Sequence, residues 1–213
     1  MPRVEHIFFD LDGTLTDPKL GITRCLQFAL AQMGEPVPDT QALTWCIGPP
    51  LLESFAKLVG VERAQQAVDL YRERFAEVGL FENDPYPKIH DTLESIAQRG
   101  HVLFVASSKP KVFVDRILNR FELMEFFSQT YGSNLDGSLT DKSELLCHAL
   151  QDSSAARENS LMIGDRMHDA IGARNNQMDF VGVLYGYGDQ AEFDSLGVAE
   201  LVHNHADLLT VLS

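Results

Sequence analysis

His6-Ile7-Phe8-Phe9-Asp10-Leu11-Asp12-Gly13-Thr14 decides how the rest of the chain is read. A short apolar run stops at a turn that carries two carboxyls and a glycine. A strand covered on both faces needs no polar alternation, so this run reads as a buried strand.

Downstream of Pro87 the same kind of run recurs, separated each time by a helical pattern. Ile89, Leu93, Ile96 and Ala97 mark a helix closed by Gly100, and His101 to Ala106 is the next strand. A helix over Val112 to Leu118, a strand over Gln129 to Gly132 and a helix over Asp141 to Leu150 follow. Leu161-Met162-Ile163 is a strand, the segment after Met167 a helix, and Phe180 to Tyr185 a strand. Alternating strands and helices imply an α/β fold, a doubly wound, Rossmann-like parallel sheet with helices on both faces.

Residues 16–86 break that alternation. Ile22, Cys25, Leu26, Ala29, Leu30 and Met33 recur at helical spacing, closed by Gly34 and Pro36. Pro49 and Pro50 suit the first turn of a second helix with Leu51, Leu52, Phe55 and Leu58 inside. Ala64, Ala67, Val68, Tyr71, Phe75 and Val78 line a third. The block carries no convincing strand. It reads as a small helical domain, 16–86, inserted after the first strand of a core formed by 1–15 and 87–213. Pro18 and Pro85-Tyr86-Pro87 stiffen the two crossings.

Composition narrows the partners. The 213 residues hold 17 Lys and Arg against 31 Asp and Glu, a formal net charge of −14. A surface this acidic repels nucleic acid polymers and anionic membranes. Cys25, Cys46 and Cys147 are too few and too scattered for a disulfide framework or a thiolate zinc site, and read as small semi-buried apolar residues. Met1-Pro2-Arg3-Val4-Glu5-His6 lacks the apolar core of a signal peptide, and no apolar run reaches the roughly 18 residues of a membrane span. A cytoplasmic protein, monomeric or weakly dimeric, is expected.

Ligands of a doubly wound sheet bind beyond the carboxyl ends of its strands. There the sequence places Asp10-Leu11-Asp12-Gly13-Thr14 after the first strand and Ser107-Ser108-Lys109 after the second. Gly164-Asp165-Arg166-Met167-His168-Asp169 follows the strand at Leu161, and Lys142 opens the helix after the third strand. Several carboxylates at one rim repel one another unless a cation sits among them. Oxygen ligands without Cys or His suit a hard ion, most simply Mg²⁺. Mg²⁺ beside a lysine and small hydroxyls is a site for phosphate. A carboxylate facing phosphorus can form an acyl phosphate, and a second one two residues on can move the proton.

These residues resemble the four signatures of the haloacid dehalogenase-like hydrolase superfamily. Asp10-Leu11-Asp12-Gly13-Thr14-Leu15-Thr16 is similar to the first, Ser107 to the second, Lys142 to the third and Gly164-Asp165 through Asp169 to the fourth. The resemblance spans nearly the whole chain and implies a capped phosphatase. It implies Asp10 as nucleophile and Asp12 as general acid and base. Ser107 would hydrogen-bond the transferring phosphoryl group, and Lys142 would neutralise charge on it and on Asp10. Asp10, the backbone carbonyl of Asp12, and Asp165 would hold Mg²⁺, with Asp169 on a bound water or on Lys142. Amides of Leu11, Asp12 and Ser108 would cradle the phosphate.

Other readings of single residues stay open. Lys142 follows Asp141, a natural N-cap, and taken alone is an ordinary first-turn lysine. Ser107 and Ser108 suit a turn before Pro110. Asp169 suits a helix N-terminus. Arg166 fits a surface position or an ion pair at the site's edge. His168, His203 and His205 read as solvated.

In the superfamily the cap selects the leaving group. Here it offers Arg24 and Phe28, and Trp45 beside Gly48-Pro49-Pro50 as either a substrate-facing lip or a core aromatic. Ile47 to Leu51, Ala106 to Pro110, Gly132 to Gly137 and Leu184 to Gly188 resemble the phosphoglycolate phosphatase-like branch, and within it bacterial 5′-nucleotidases. A small phosphomonoester, foremost a nucleoside 5′-monophosphate, is the implied substrate, and a nucleotide would favour an aromatic wall from Phe28, Phe55 or Trp45. Phosphoglycolate is the alternative, and would call on Arg24 or Lys57. A β-phosphoglucomutase-like phosphotransferase shares the signature. A phospho-receiver module fits less well, because its acceptor Asp follows a middle strand and it has no cap. A non-catalytic scaffold is disfavoured, because no motif residue is missing.

Overall fold

A computed structural model describes residues 4–212, so the Met1-Pro2-Arg3 part of the N-terminal reading lies outside it. The chain divides into two units, one reaching Thr16 and resuming at Pro85, the other Asp17–Asp84. The strands in chain order are β1 (His6–Phe9), β2 (Thr16–Asp17), β3 (Asp84–Pro85), β4 (Val102–Pro110), β5 (Gln129–Ser133), β6 (Ser160–Gly164), β7 (Asp179–Val183) and β8 (Leu201–Val202). Six of them form one sheet in the order β5-β4-β1-β6-β7-β8, and the pairings are parallel. The buried run His6–Phe9 therefore sits at the centre. From β1 the chain builds outward through β4 and β5, then returns to β1's other side with β6. That reversal is the switch point at which a doubly wound sheet opens its crevice.

The insert holds α1 (Lys19–Gln32), a 3₁₀ turn over Gln41–Cys46, α2 (Leu51–Val59) and α3 (Val61–Glu77). Its core gathers Leu26, Ala29 and Leu30 of α1 with Phe55 of α2 and Ala67, Tyr71 and Phe75 of α3. Tyr71 stacks on Phe75 at 5.4 Å and meets Phe55 edge-on at 6.1 Å. Arg24 and Arg74 both bind Glu82, at 2.7 and 2.8 Å.

In the sheet unit the helices are α4 (Ile89–Gln98), α5 (Lys111–Arg120), α6 (Lys142–Ser153), α7 (Met167–Asn175), α8 (Gln190–Asp194) and α9 (His205–Val211). Phe8, Phe104, Ala106, Tyr131 and Met162 point to one face and pack with Leu145, Leu146 and Ala149 of α6 and Ala173 of α7. Alternation sends Ile7, Phe9, Leu103 and Val105 to the other face, where all four are buried. Each such side chain contributes about 1.5–3 kcal/mol when fully buried.

Several expectations need correction. The crossings, taken as strandless, pair as the two-stranded ribbon β2–β3. Leu52 is 50% exposed, and the inward residues of α2 are Ser54 and Phe55. One helical turn cannot point adjacent Leu51 and Leu52 the same way. Phe55, offered as a substrate wall, is fully buried in the insert's core, and Val78 is exposed. Ala97 is exposed and Cys147 lies at the surface. His205 is half-buried rather than solvated. Its ring lies 4.2 Å from Tyr185 and 5.5 Å from Tyr86, and burial pulls its pKa down.

Candidate active site

The central strand delivers Asp10 to the sheet's carboxyl rim, where its N–H donates to Ile163 O at 2.9 Å. The loop then folds on itself. Leu11 O accepts from the N–H groups of Thr14, Leu15 and Thr16 at 3.3, 2.9 and 3.0 Å, and Gly13 N–H donates to Thr16 O at 2.8 Å. Gly13 has φ +84°, and a Cβ there would stand 2.1 Å from Asp165 Oδ2. Only glycine permits both the left-handed backbone and that approach.

Lys142 arrives on the first turn of α6, whose N-cap Asp141 accepts from Ser143 and Glu144 N–H. The first-turn position does not leave it in solvent. Its ammonium is buried and reaches Asp10 Oδ1 at 3.0 Å, Asp169 Oδ1 at 2.8 Å and Ala106 O at 2.8 Å. Three acceptors meet its three N–H donors. Burial pulls the Lys142 pKa down, but Asp10 and Asp169 more than offset this and hold it above its ordinary value.

Asp10, Asp165 and Asp169 are buried, and one carboxylate oxygen from each lies within 4.8 Å of the others. Burial, with the Asp10 and Asp169 charges beside it, raises the Asp165 pKa well above the ordinary carboxyl range. Burial also lifts Asp169 to about 6, with Lys142 opposing and Asp10 adding to the rise. Asp165 Oδ2 accepts from Tyr187 N–H at 2.7 Å, while Oδ1 is buried without a hydrogen-bond partner. Buried polar atoms are rarely left unpaired. A carboxylate cluster with an oxygen turned to no protein donor fits a hard divalent cation. Asp10, Asp165 and Asp169 are the side chains that would hold it.

Asp12 does not join this cluster with its carboxylate. Lys109 takes it, with Nζ 2.6 Å from Oδ2 and 2.8 Å from Oδ1. Burial raises the Asp12 pKa despite Lys109. Ser107 is buried at the end of β4, with Oγ 3.4 Å from Lys109 N, and Ser108 is half-buried beside it. Leu11 is fully buried.

Arg24, Gly48 and Trp45 belong to the insert. Arg24 is exposed and pairs with Glu82 within the insert. Gly48 has φ +101°, and Pro49 and Pro50 stand before α2 rather than in its first turn, with Pro50 as the N-cap. Trp45 is 38% exposed, with Lys57 Nζ 5.5 Å from its ring centroid, so it is no core aromatic. His168 is half-buried.

Three supports escaped the sequence reading. Lys109 lies at the carboxyl rim where the sequence places it, but its pairing with Asp12 carries no sequence signal. Gly186 lets the loop after β7 cross Asp165, since a Cβ there would lie 2.4 Å from Asp165 Cβ. The Gly-Tyr-Gly directly after a strand was the available signal. Glu192 accepts from Arg166 Nε at 3.1 Å and Met167 N–H at 2.5 Å, which fixes the start of α7. Arg166 is thus an ion-paired residue at the edge of the site.

Three buried carboxylates and the buried Lys142 thus meet at the carboxyl rim of a doubly wound sheet. Residues 7–183 match the family described as haloacid dehalogenase-like hydrolase. A 5′-nucleotidase of Pseudomonas aeruginosa is 48% identical over 97% of this chain and 93% of its own. Tyrosine-protein kinase PtkA of Mycobacterium tuberculosis is 34% identical over 92% of this chain and 68% of its own. The crystal structure of a predicted phosphatase from Clostridium acetobutylicum superposes with a TM-score of 0.93, at 37% identity, over 97% of this chain and 99% of that one. The chain belongs to the haloacid dehalogenase-like hydrolase family, among its phosphatases. Among the described residues, no helix is long and apolar enough to cross a membrane.

Proposed function

We propose that the protein is a Mg²⁺-dependent phosphatase that passes the phosphoryl group of a small phosphomonoester through Asp10. Nucleoside 5′-monophosphates are the foremost substrates, on the strength of the P. aeruginosa relative. The observation that carries the reading is the buried Lys142 ammonium shared by Asp10 and Asp169 beside the unpartnered Asp165 oxygen.

The ion's chemistry is to offset the carboxylate charge and that of the phosphoryl oxygens. Asp10 attacks phosphorus while Asp12 gives a proton to the departing oxygen. An aspartyl phosphate on Asp10 and a free alcohol result. Asp12, now a carboxylate, takes a proton from water as that water attacks the same phosphorus. Asp10 and inorganic phosphate are released. Lys142 holds the Asp10 carboxylate in line, while Ser107 Oγ and the amides of Leu11, Asp12 and Ser108 bind the phosphoryl oxygens. In this reading the insert, 16–86, is a cap domain that selects the leaving group, with Arg24, Trp45 and Gly48 as its candidate contacts. The protein works in the cytoplasm as a monomer or weak homodimer.

Phosphate release from nucleoside monophosphates, phosphoglycolate, sugar phosphates and pyrophosphate, with Mg²⁺ and with EDTA, tests the proposal. Mg²⁺-dependent release is expected, highest with a nucleotide. Release undiminished by EDTA overturns the metal assignment. Preference for phosphoglycolate, or transfer to a sugar or a tyrosyl hydroxyl rather than water, overturns the substrate or the reaction.

The metal assignment also has a pH signature. A carboxyl with a raised folded pKa stabilises the fold below the unfolded value and loses that contribution as pH rises through the folded one. Asp165 and Asp169 both carry such shifts. The metal-free protein should therefore lose stability as pH rises from about 4 through about 6, where Asp169 ionises, and further at higher pH where Asp165 does, and a cation should restore it where they are ionised. At a hundred times Kd, Mg²⁺ should raise the melting temperature by roughly 5–10 °C at pH 7.5. The gain should shrink at pH 5. An equal gain at both pH values, measured by calorimetry, contradicts the assignment.

A further inference from the structure

The ion pair between Lys109 and Asp12 is built by the backbone around it. β4 runs in register with β5 up to Ser107↔Gly132, then slips so that the next pair is Pro110↔Ser133. A slip of this kind re-aims a side chain. Pro110 restricts Lys109 to extended backbone. Gly132 admits the displaced segment, since a Cβ there would lie 2.7 Å from both Lys109 O and Lys111 N. The outcome is a half-buried lysine whose Nζ touches both oxygens of one carboxylate, at 2.6 and 2.8 Å. The side chains on either side of this contact are only 8% and 11% exposed. Two donor contacts from one ammonium leave the Asp12 carboxyl little freedom to rotate.

We propose that Lys109 is a positioning residue that holds the Asp12 carboxyl at the leaving oxygen. This rests on the reading of Asp12 as the group that protonates that oxygen. A proton transfer reaches full rate only in a narrow geometry, and misplacement by about 1 Å can cost about 100-fold. The loss falls where the proton is needed. A poor leaving group such as an alkoxide must be protonated as it departs, whereas p-nitrophenolate leaves without help. Lys109 thus acts on the first step, release of the leaving group, in proportion to the basicity of the leaving oxygen, whereas any effect on hydrolysis of the aspartyl phosphate is the same for every substrate.

The test compares wild type, Lys109→Met, Lys109→Gln, Lys109→Arg and Asp12→Asn on p-nitrophenyl phosphate and on alkyl monophosphates such as a nucleotide. Lys109→Met and the nearly isosteric Lys109→Gln should each lower the pre-steady-state rate of leaving-group release about 10- to 100-fold on alkyl phosphates and less than about 5-fold on p-nitrophenyl phosphate. The substrate concentration that half-saturates this release should stay within about 3-fold, and Lys109→Arg should recover part of the loss. A loss of release rate equal for both leaving groups, or a rise in the half-saturating concentration with that rate unchanged, overturns the proposal, because general destabilisation or substrate binding would act that way. Asp12→Asn separates the two levels. If it shows the leaving-group dependence and the Lys109 variants do not, the positioning role fails alone. If Asp12→Asn shows none, the acid role of Asp12 fails and the proposal with it.

Discussion

Asp10→Asn should reduce phosphate release by about 10³-fold or more, with any substrate and at saturating Mg²⁺. The carboxylate oxygen facing phosphorus is the bond-forming atom in this account, and an amide is far too weak a nucleophile to replace it. The fold should hardly notice. Asn keeps the shape of Asp10 and its backbone bond to Ile163 O, while Lys142 retains Asp169 and Ala106 O. The lost attraction to Lys142 is partly offset by relief of the repulsion that Asp10 exerts on Asp165 and Asp169. The melting temperature should stay within about 4 °C of wild type. Turnover above one tenth of wild type, checked on purified variant, removes Asp10 from the nucleophile's place.

Lys142→Met should do the opposite kind of damage, to fold and activity together. The ammonium is buried and bonded to three oxygens, two of them carboxylate oxygens. Removing one member of a buried charge set leaves the others uncompensated and costs about 3–5 kcal/mol. For a protein of this size that lowers the melting temperature by roughly 6–20 °C. Activity should fall by at least about 100-fold, because Asp10 and the phosphoryl oxygens lose their nearest fixed cation. The contrast between the variants is diagnostic. One removes a reacting atom from an intact scaffold, and the other removes a charge that holds the scaffold's rim together. A Lys142→Met protein that melts like wild type would show that the buried contact contributes little.

Much of this arrangement is legible in the sequence. The sheet is visible because five of its six strands are short runs that alternate with helical patterns, and the switch point follows from β1 lying between β4 and β6. The rim residues are visible because each stands directly after a strand or opens the helix that follows one. Short pieces such as β2, β3, β8 and α8 escape, since two to five residues carry no period. Leu52 is misassigned because hydrophobicity alone cannot choose between neighbours on one helical turn. His205 is misassigned because its burial depends on Tyr86 and Tyr185, far away in sequence. Lys109 escapes for a deeper reason. Its direction depends on a register slip, and that slip belongs to the pairing of two strands rather than to any one segment.

The acidity of the chain also takes on a local meaning. Asp10, Asp165 and Asp169 are crowded into one buried cluster, and two basic side chains are spent at its edge, Lys142 on Asp10 and Asp169 and Lys109 on Asp12. The rim of β1 thus gathers charges of both signs, which suits a small doubly charged phosphate better than a polyanion.

The central claim is that the phosphoryl group rests on Asp10 between two chemical steps. Rapid acid quench of the wild-type enzyme and of Asp12→Ala during turnover of p-nitrophenyl phosphate with Mg²⁺, followed by peptide mass mapping, tests it directly. The account expects one phosphoryl group on the peptide containing Asp10, at higher occupancy in Asp12→Ala, because hydrolysis of the intermediate lacks its base. Phosphate on any other residue, or no phosphorylated peptide in either protein while p-nitrophenol is released, would contradict it.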